Sequence, residues 1–262
     1  MSHHKTSKEH LISDQLNAAI VGVLNNQRIQ DEIIKQAAQD VAFSTAIEQV
    51  DKVREFIGNP GSILGSALTK HGEIAEQVEV GIRNANAALN QQNMTATFEG
   101  IGRTAPADYS VDGVFVQSKF INGVNNNLDH VLKHMDKYSD FGRDGSFYHI
   151  PKDTYQTIEK IRLGLPVDDL SEKSKAAILN KIQEIERNTG KPFEQVVKPG
   201  ISDYSDVQQG KVVETLDKHE QKLKQENEEL KEKIENEHKP SWGGAAQAAV
   251  IAGVVGGTIS LG

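Results

Sequence analysis

The segment Ala107-Asp-Tyr-Ser-Val-Asp-Gly-Val-Phe-Val-Gln-Ser-Lys-Phe120 has the pattern of a β-hairpin. Asp112-Gly113 lies between two alternating runs, and this dipeptide favours a type I′ turn because both central positions of that turn have positive φ. A two-residue turn at this point places Asp108 opposite Gln117. Since side chains alternate along a strand, Lys119 then shares a face with Gln117. We therefore expect an acid, an amide and an ammonium group together on one face of the hairpin.

This polar trio is the kind of cluster that binds a divalent cation next to a phosphate. Mg²⁺ takes oxygen ligands, usually one or two carboxylates together with water and substrate phosphate. The Gln117 amide can supply a neutral oxygen, and Lys119 can orient or deprotonate an attacking water. The same three residue types are also typical of a strand face that is simply solvated. The hairpin by itself leaves both interpretations open.

The sequence around the hairpin predicts a compact unit of helices and strands. Residues 70–90 carry an apolar stripe at helical spacing, and residues 94–101 have the pattern of a strand. After the hairpin, residues 125–138 are predicted to form a second helix and residues 146–151 another strand. The expected order is therefore helix, three strands, helix, strand, which is an α+β arrangement.

In this order, the chain resembles the PD-(D/E)xK nuclease superfamily, and most of all archaeal-type Holliday junction resolvases and Mrr-type restriction endonucleases. The resemblance covers about residues 66–152 and implies a restriction-endonuclease-like αβββαβ core. The matching positions are Gly72, Ala75 and Glu76 on the first helix, Arg103 before the hairpin, Pro106-Ala107-Asp108, and Gln117-Ser118-Lys119, where the Mrr group also uses Gln-x-Lys.

The resemblance implies a site with assigned roles. Asp108 and Gln117 would bind Mg²⁺ or Mn²⁺, Glu76 would complete the site from the helix, and Lys119 would assist the attacking water. In this interpretation the candidate substrate-binding residues are Arg103 and Asn125. We expect the neighbouring helical acids Glu73 and Glu79 to be solvated charges.

Two departures from the family pattern favour an alternative. One extra residue separates Pro106 from Asp108, and Gln117 removes one negative charge from the metal site. Either departure is compatible with a degenerate fold that binds its target without cutting it.

Composition sets limits on the function. The chain has 262 residues, a formal net charge of −8 and no cysteine, so disulfides, zinc–thiolate sites and thiol catalysis are excluded. The acidic balance argues against broad, charge-driven binding of nucleic acid. The polar N-terminus has no apolar signal-peptide core, and we expect a cytoplasmic protein. The candidates for a local basic track are Lys70, Arg83, Arg103, Lys133 and Arg143.

The segments that flank the core are predicted to be mainly helical. Residues 1–60 are expected to form a helical hairpin that packs on the core or makes a dimer, ahead of the α/β core at 61–152. Residues 153–200 are predicted to be a helical extension, and 201–239 a linker followed by a coiled coil. Leucines recur every seventh residue within 211–238, which favours a homodimer or higher homo-oligomer, although a solvated single helix has the same charge pattern.

The C-terminal tail has a composition of its own. Residues 243–262 contain no charged side chain and are rich in Gly and Ala, and Trp242 precedes them. This length is enough to cross a bilayer, and the small-residue spacing suits helix–helix contact in a membrane. A tail at 240–262 that anchors the protein to the inner membrane is therefore one expectation. An oligomer contact and a segment without fixed structure are the others.

Two classes of function follow from these observations. The first is a Mg²⁺-dependent DNA endonuclease, membrane-tethered and acting in defence against foreign DNA. The second is a non-enzymatic, self-assembling, membrane-associated protein in which the nuclease-like block only recognises a target.

Overall fold

The structure, a computed structural model, describes residues 3–59, 70–102 and 104–239, with side chains described from residue 14 onward. The described part of the chain is helix-rich and contains one small mixed sheet. The helices are α1 (His3–Gly58), α2 (Lys70–Leu89), α3 (Val124–Lys137), α4 (Lys152–Arg162), α5 (Glu172–Thr189), α6 (Phe193–Val196) and α7 (Val212–Glu237), with a 3-10 helix at Tyr204–Val207. The strands are β1 (Tyr109–Val111), β2 (Val114–Ser118), β3 (Phe147–Ile150) and β4 (Val197–Pro199).

The four strands form one sheet in the order β1-β2-β3-β4. Strands β1 and β2 are antiparallel, whereas β2 and β3, and β3 and β4, are parallel. The parallel neighbours are joined by helical crossovers, as parallel pairing requires. The molecule is therefore of the α+β class expected from the sequence.

The hairpin has the turn and register that the sequence predicts. Asp112 and Gly113 have φ values of 53° and 75°, so both central residues of the turn lie in the left-handed region. Val111 pairs with Val114, and this register, continued beyond β1, brings Asp108 opposite Gln117. The backbone pairing that the candidate site needs is thus confirmed.

The strand expected at 94–101 is wrong, because only Thr97 pairs with β1, through a single bridge to Ser110. The Asn84 side chain of α2 hydrogen-bonds the backbone of Ala96, next to that bridge. Its Nδ2 donates to the Ala96 carbonyl at 2.8 Å, and its Oδ1 accepts from the Ala96 N–H at 3.2 Å. These groups are therefore satisfied by a side chain instead of a strand ladder.

The two faces of the sheet carry separate apolar clusters. Tyr109, Val116 and Phe147 pack with Val80 of α2 on one face. The other face is covered by α3, α4 and α5, and its cluster is larger. The main buried residues there are Leu128, Val131, Met135, Tyr148, Ile150, Ile158, Ile178, Ile182, Ile185, Phe193 and Val196. The alternation along β3, from Phe147 to Ile150, assigns each side chain to one of the two layers.

The predicted helices of the C-terminal extension are confirmed, with one strand missed. Ser171 is the N-cap of α5, and its Oγ accepts from the Ser174 N–H at 3.2 Å. The apolar stripe of α5 is buried as expected. Strand β4 was not predicted, because three residues between turn signals carry too short a pattern. Helix α3 begins after Gly123, which is its N-cap.

The described chain divides into two compact units: α1 up to Val41 together with α7 from Gln225, and residues 42–224. In place of the helical hairpin expected within 1–60, α1 is one continuous helix. Residues 25–32 separate the apolar residues of 11–24 from those of 33–50. This segment contains no Gly or Pro that would end a helix. Many apolar side chains of α1 are exposed, among them Leu16, Val21, Val23, Leu24, Ile33, Ile34 and Val41.

Helix α7 covers the predicted coiled-coil segment, and its heptad face contacts α1 of the same chain. In the first unit, Gln39 Nε2 donates to Asn227 Oδ1 at 3.0 Å, and Lys231 Nζ is 2.7 Å from Asp40 Oδ1. In the second unit, Arg54 pairs with Asp217 and Glu220. The alternative of a fully solvated helix is therefore wrong, while self-association through 211–238 stays a prediction.

The tail at 240–262 lies outside the described residues. Of the helices within the described ranges, none is sufficiently long and apolar to span a bilayer. Membrane contact through 243–262 remains a prediction from the sequence.

Candidate metal and phosphodiester site

Asp108 is anchored directly before β1, at the open end of the hairpin. Its Oδ2 accepts a hydrogen bond from the backbone N–H of Ser118 at 2.7 Å and another from the Gln117 amide. Within the described residues its second oxygen, Oδ1, has no hydrogen-bond partner. Burial raises the pKa of Asp108 above its usual value, and the Ser118 N–H and the Lys119 charge oppose that rise. The carboxylate is thus fixed through one oxygen, and its other oxygen is left for a ligand.

Glu76 approaches this carboxylate from α2. Its pKa is raised to about 8, first by burial and then by the negative charges of Asp108 and Glu73, while Lys119 lowers it. A half-buried pair of carboxylates that repel each other disfavours its own ionised state. A cation placed between them would relieve that repulsion, which is the electrostatic condition of a metal site.

Lys119 is held at the end of β2 by its backbone. Its N–H donates to the His149 carbonyl at 2.8 Å, and its own carbonyl accepts from Asn127 Nδ2 at 2.5 Å. Burial lowers the pKa of the Lys119 ammonium, and the charges of Asp108 and Glu76 partly offset this. A lysine with a depressed pKa can accept a proton at lower pH than a solvated one.

Of the two candidate substrate-binding residues, the structure describes only Asn125. Arg103 lies outside the described residues. Asn125 is near the start of α3, and both its Oδ1 and its backbone carbonyl accept from Lys181 Nζ of α5, at 3.1 and 3.0 Å. The amide oxygen of Asn125 is therefore already hydrogen-bonded to a residue of the same chain. The asparagine that supports the site is Asn127, which is fully buried.

The donor set suits a hard divalent cation that keeps some of its water. It comprises Asp108 Oδ1, the Glu76 carboxylate and Gln117 Oε1, which has no hydrogen-bond partner among the described residues while Nε2 donates to Asp108. Within residues 3–59, 70–102 and 104–239, no three His, Asp or Glu side chains converge on one point. Two carboxylates and one amide fit Mg²⁺, which needs few protein ligands, better than Zn²⁺ or Ca²⁺.

Sequence reasoning missed a second polar network, on the α2 face of the sheet. Glu79, expected to be solvated, is 1% exposed, so that expectation is wrong. Its Oε1 accepts from Arg83 Nε at 2.6 Å, and its Oε2 accepts from the Ile201 N–H at 2.7 Å. The spacing of Glu79 and Arg83, four residues apart on a helix, was the available signal.

His149 and Tyr109 complete this network. The Tyr109 hydroxyl lies 2.7 Å from His149 Nδ1, and Arg83 Nη2 lies 3.3 Å from His149 Nε2. Burial and the nearby Arg83 charge hold the pKa of His149 well below its usual value, so the ring is neutral and Nε2 can accept from Arg83. The guanidinium is thus fixed from two sides.

Comparison of the chain with protein-family models, with curated proteins and with solved structures finds no match. Any function of this chain must therefore follow from its own geometry.

Proposed function

We propose that the chain is a Mg²⁺- or Mn²⁺-dependent DNA endonuclease whose site is built from Glu76, Asp108, Gln117 and Lys119. The observation that supports this most is that Asp108, anchored by the Ser118 N–H, lies near enough to Glu76 and Lys119 for the charges of these residues to affect one another's pKa. These residues come from a helix and from both sides of the hairpin. Folding the hairpin does not require two half-buried carboxylates beside a half-buried lysine, and such an arrangement costs stability unless it serves a ligand.

Each residue has a distinct task in the proposed reaction. Asp108, fixed by the Ser118 N–H, presents one carboxylate oxygen, and Gln117 and Glu76 supply the remaining protein ligands. A bound Mg²⁺ would lower the pKa of a water molecule and neutralise charge on the phosphate. Lys119, with its depressed pKa, takes the proton of the attacking water. The water oxygen bonds to phosphorus as one P–O ester bond breaks, and the leaving oxygen takes a proton from solvent, which yields a hydroxyl and a phosphomonoester.

The test is DNA cleavage by the full chain with Mg²⁺ or Mn²⁺. We expect cleavage that chelation with EDTA stops and that Lys119→Ala slows by about 10²–10⁴-fold, the range of a general base. Lys173 of α5 is exposed and serves as the matched control, so Lys173→Ala should cut at the wild-type rate. Metal-independent cutting, or full activity in Lys119→Ala, would contradict the proposal.

The second candidate is a self-assembling protein with a binding-only core, and two observations favour it. Gln117 is a neutral residue that hydrogen-bonds Asp108, and α1 exposes a series of apolar residues. On this proposal purified protein binds DNA or another target without cutting it, and Lys119→Ala is silent. Deletion of residues 243–262 would then abolish function in cells, through loss of membrane contact or of assembly.

A further inference from the structure

We infer that the α2 face of the sheet carries a second site, which binds the phosphate group of a nucleotide or of a nucleic-acid strand through Arg83 and Lys198. This site is separate from the Asp108–Lys119 site and does not rest on the nuclease proposal. It uses the buried network of Glu79, Arg83 and His149, to which the proposed cleavage reaction assigns no task.

A cavity of about 390 Å³ opens at this position, lined in part by Arg83, Phe147, His149, Tyr155 and Lys198. Its size lies at the lower end of the range typical of small-molecule sites. Phe147 and Tyr155 offer aromatic surface to a base or sugar, and the two cations offer donors to a phosphate.

The ammonium group of Lys198 is the candidate anion-binding group of this cavity. It pairs in register with His149 across β3 and β4, and its Nζ lies 3.8 Å from the centroid of the Phe147 ring. Within the described residues no carboxylate lies within ion-pair distance of this ammonium group. Burial and the Arg83 charge lower the pKa of Lys198. A bound anion would favour the charged form of this lysine.

Arg83 is oriented in advance for binding. Its Nε and Nη2 are engaged by Glu79 and by His149, which fixes the guanidinium plane. Within the described part of the chain, Nη1 has no hydrogen-bond partner. Glu79 neutralises the charge of Arg83, so the net positive charge comes from Lys198 and Arg83 contributes directed N–H donors.

Two acidic residues lie at the rim of the cavity. Asp112 Oδ1 accepts from Thr95 Oγ1 at 2.6 Å, and Glu194 Oε2 accepts from Arg162 Nη2 at 3.0 Å. Within the described residues, neither carboxylate forms an ion pair with Arg83 or Lys198. The donors of these two residues are therefore open to an anion at the floor of the cavity.

The test is calorimetric titration of the full chain, without metal, with inorganic phosphate, with AMP and with a short DNA duplex that carries or lacks a 5′-phosphate. We expect saturable binding of phosphate and tighter binding of AMP. Lys198→Ala should weaken both by about tenfold or more, because a charge-assisted contact is lost. Lys198→Arg should retain binding, and the exposed-lysine control Lys173→Ala should match wild type.

The two ligand sources give different outcomes, and both support the site. Tighter binding of AMP than of either duplex identifies a free nucleotide, whereas a preference for the 5′-phosphorylated duplex identifies a strand end. Lys198→Ala leaves Glu76, Asp108 and Lys119 in place, so loss of phosphate binding in that variant separates this site from the proposed catalytic one. Absence of saturable binding, or equal binding by Lys198→Ala, would overturn the inference.

Discussion

The backbone N–H of Ser118 donates to Oδ2 of Asp108 at 2.7 Å, across the open end of the hairpin. This bond fixes the carboxylate through one oxygen and ties its position to the register set at Asp112-Gly113. The type I′ turn therefore controls the geometry of the candidate site, although it lies at the opposite end of the two strands.

The first prediction concerns this hydrogen bond. Asp108→Ala should lower the free energy of unfolding by about 1–3 kcal/mol, because the Ser118 N–H loses its acceptor. Asp108→Asn keeps an acceptor and removes a half-buried charge, so its stability should equal or exceed that of wild type. Both should lose Mn²⁺ binding and DNA cleavage. Denaturant unfolding and metal titration measure the two effects, and intact cleavage by Asp108→Asn would exclude the proposed role of Asp108.

The second prediction follows from the pKa of Glu76, about 8 in the folded chain against an ordinary 4.5. A folded-state pKa above the unfolded one means that the folded protein binds more protons between these values. The stability that Glu76 contributes is therefore fully present below about pH 4.5 and lost as pH rises through about 8. Glu76→Gln should remove this part of the pH dependence. The free energy of unfolding of Glu76→Gln should therefore rise relative to that of wild type as the pH increases from about 4.5 to about 8. Urea unfolding at several pH values measures it, and parallel curves would contradict the burial of this carboxyl.

Metal binding should release protons for the same reason. At neutral pH Glu76 is largely protonated, and a ligand carboxylate must be ionised to bind a cation. Calorimetric Mn²⁺ titrations in buffers of different ionisation enthalpy should report proton release at pH 7 and little at pH 9. Glu76→Gln should show less release at pH 7. Equal release at both pH values would argue against Glu76 as a ligand.

The third prediction introduces an acid at Gln117. In Gln117→Glu the amide bond to Asp108 is replaced by a repulsion between carboxylates, so the metal-free protein should lose stability above neutral pH. Metal affinity should rise by about tenfold with the added ligand charge. Gln117→Leu is the control that removes the ligand oxygen and should bind metal weakly. Unchanged affinity in Gln117→Glu would place Gln117 outside the metal site.

The fourth prediction tests the packing behind the Glu79 network. A Cβ at Gly200 would lie 2.9 Å from Phe120 Cζ, 3.1 Å from Glu79 Oε2 and 3.2 Å from the Ile150 carbonyl. Gly200→Ala should therefore cost about 1–3 kcal/mol of stability. A Cβ at Gly210 would meet no atom within 4 Å, so Gly210→Ala should change stability by about 0.5 kcal/mol or less. Thermal unfolding of the two variants compares them, and equal melting temperatures would refute the close approach at Gly200.

The fifth prediction concerns the pairing of α1 with α7. Asn227→Ala removes the hydrogen bond that Gln39 donates at 3.0 Å and should lower stability by about 1 kcal/mol. Glu228 is exposed on the same helix, and Glu228→Ala should be close to neutral. Sedimentation of both variants beside wild type tests self-association through 211–238. Loss of an oligomer in Asn227→Ala, without loss of monomer stability, would show that this face meets a second copy instead.

The sequence by itself determined the local features of this protein. The turn at Asp112-Gly113 and the apolar stripe of α2 each depend on residues within a few positions, so periodicity and turn chemistry were sufficient. The placement of Asp108, Gln117 and Lys119 on one face followed from the period of a strand.

Tertiary structure decided whatever depends on contacts between distant segments. Glu79 has the sequence context of a surface acid, yet the Ile201 N–H, 122 positions away, accounts for its burial. Met94–Ile101 has the pattern of a strand, yet the Asn84 side chain hydrogen-bonds the Ala96 backbone in place of a neighbouring strand. The pKa of Glu76 likewise depends on which charges the fold places beside it, because burial and Coulomb energy are set by distances in space that sequence spacing does not encode.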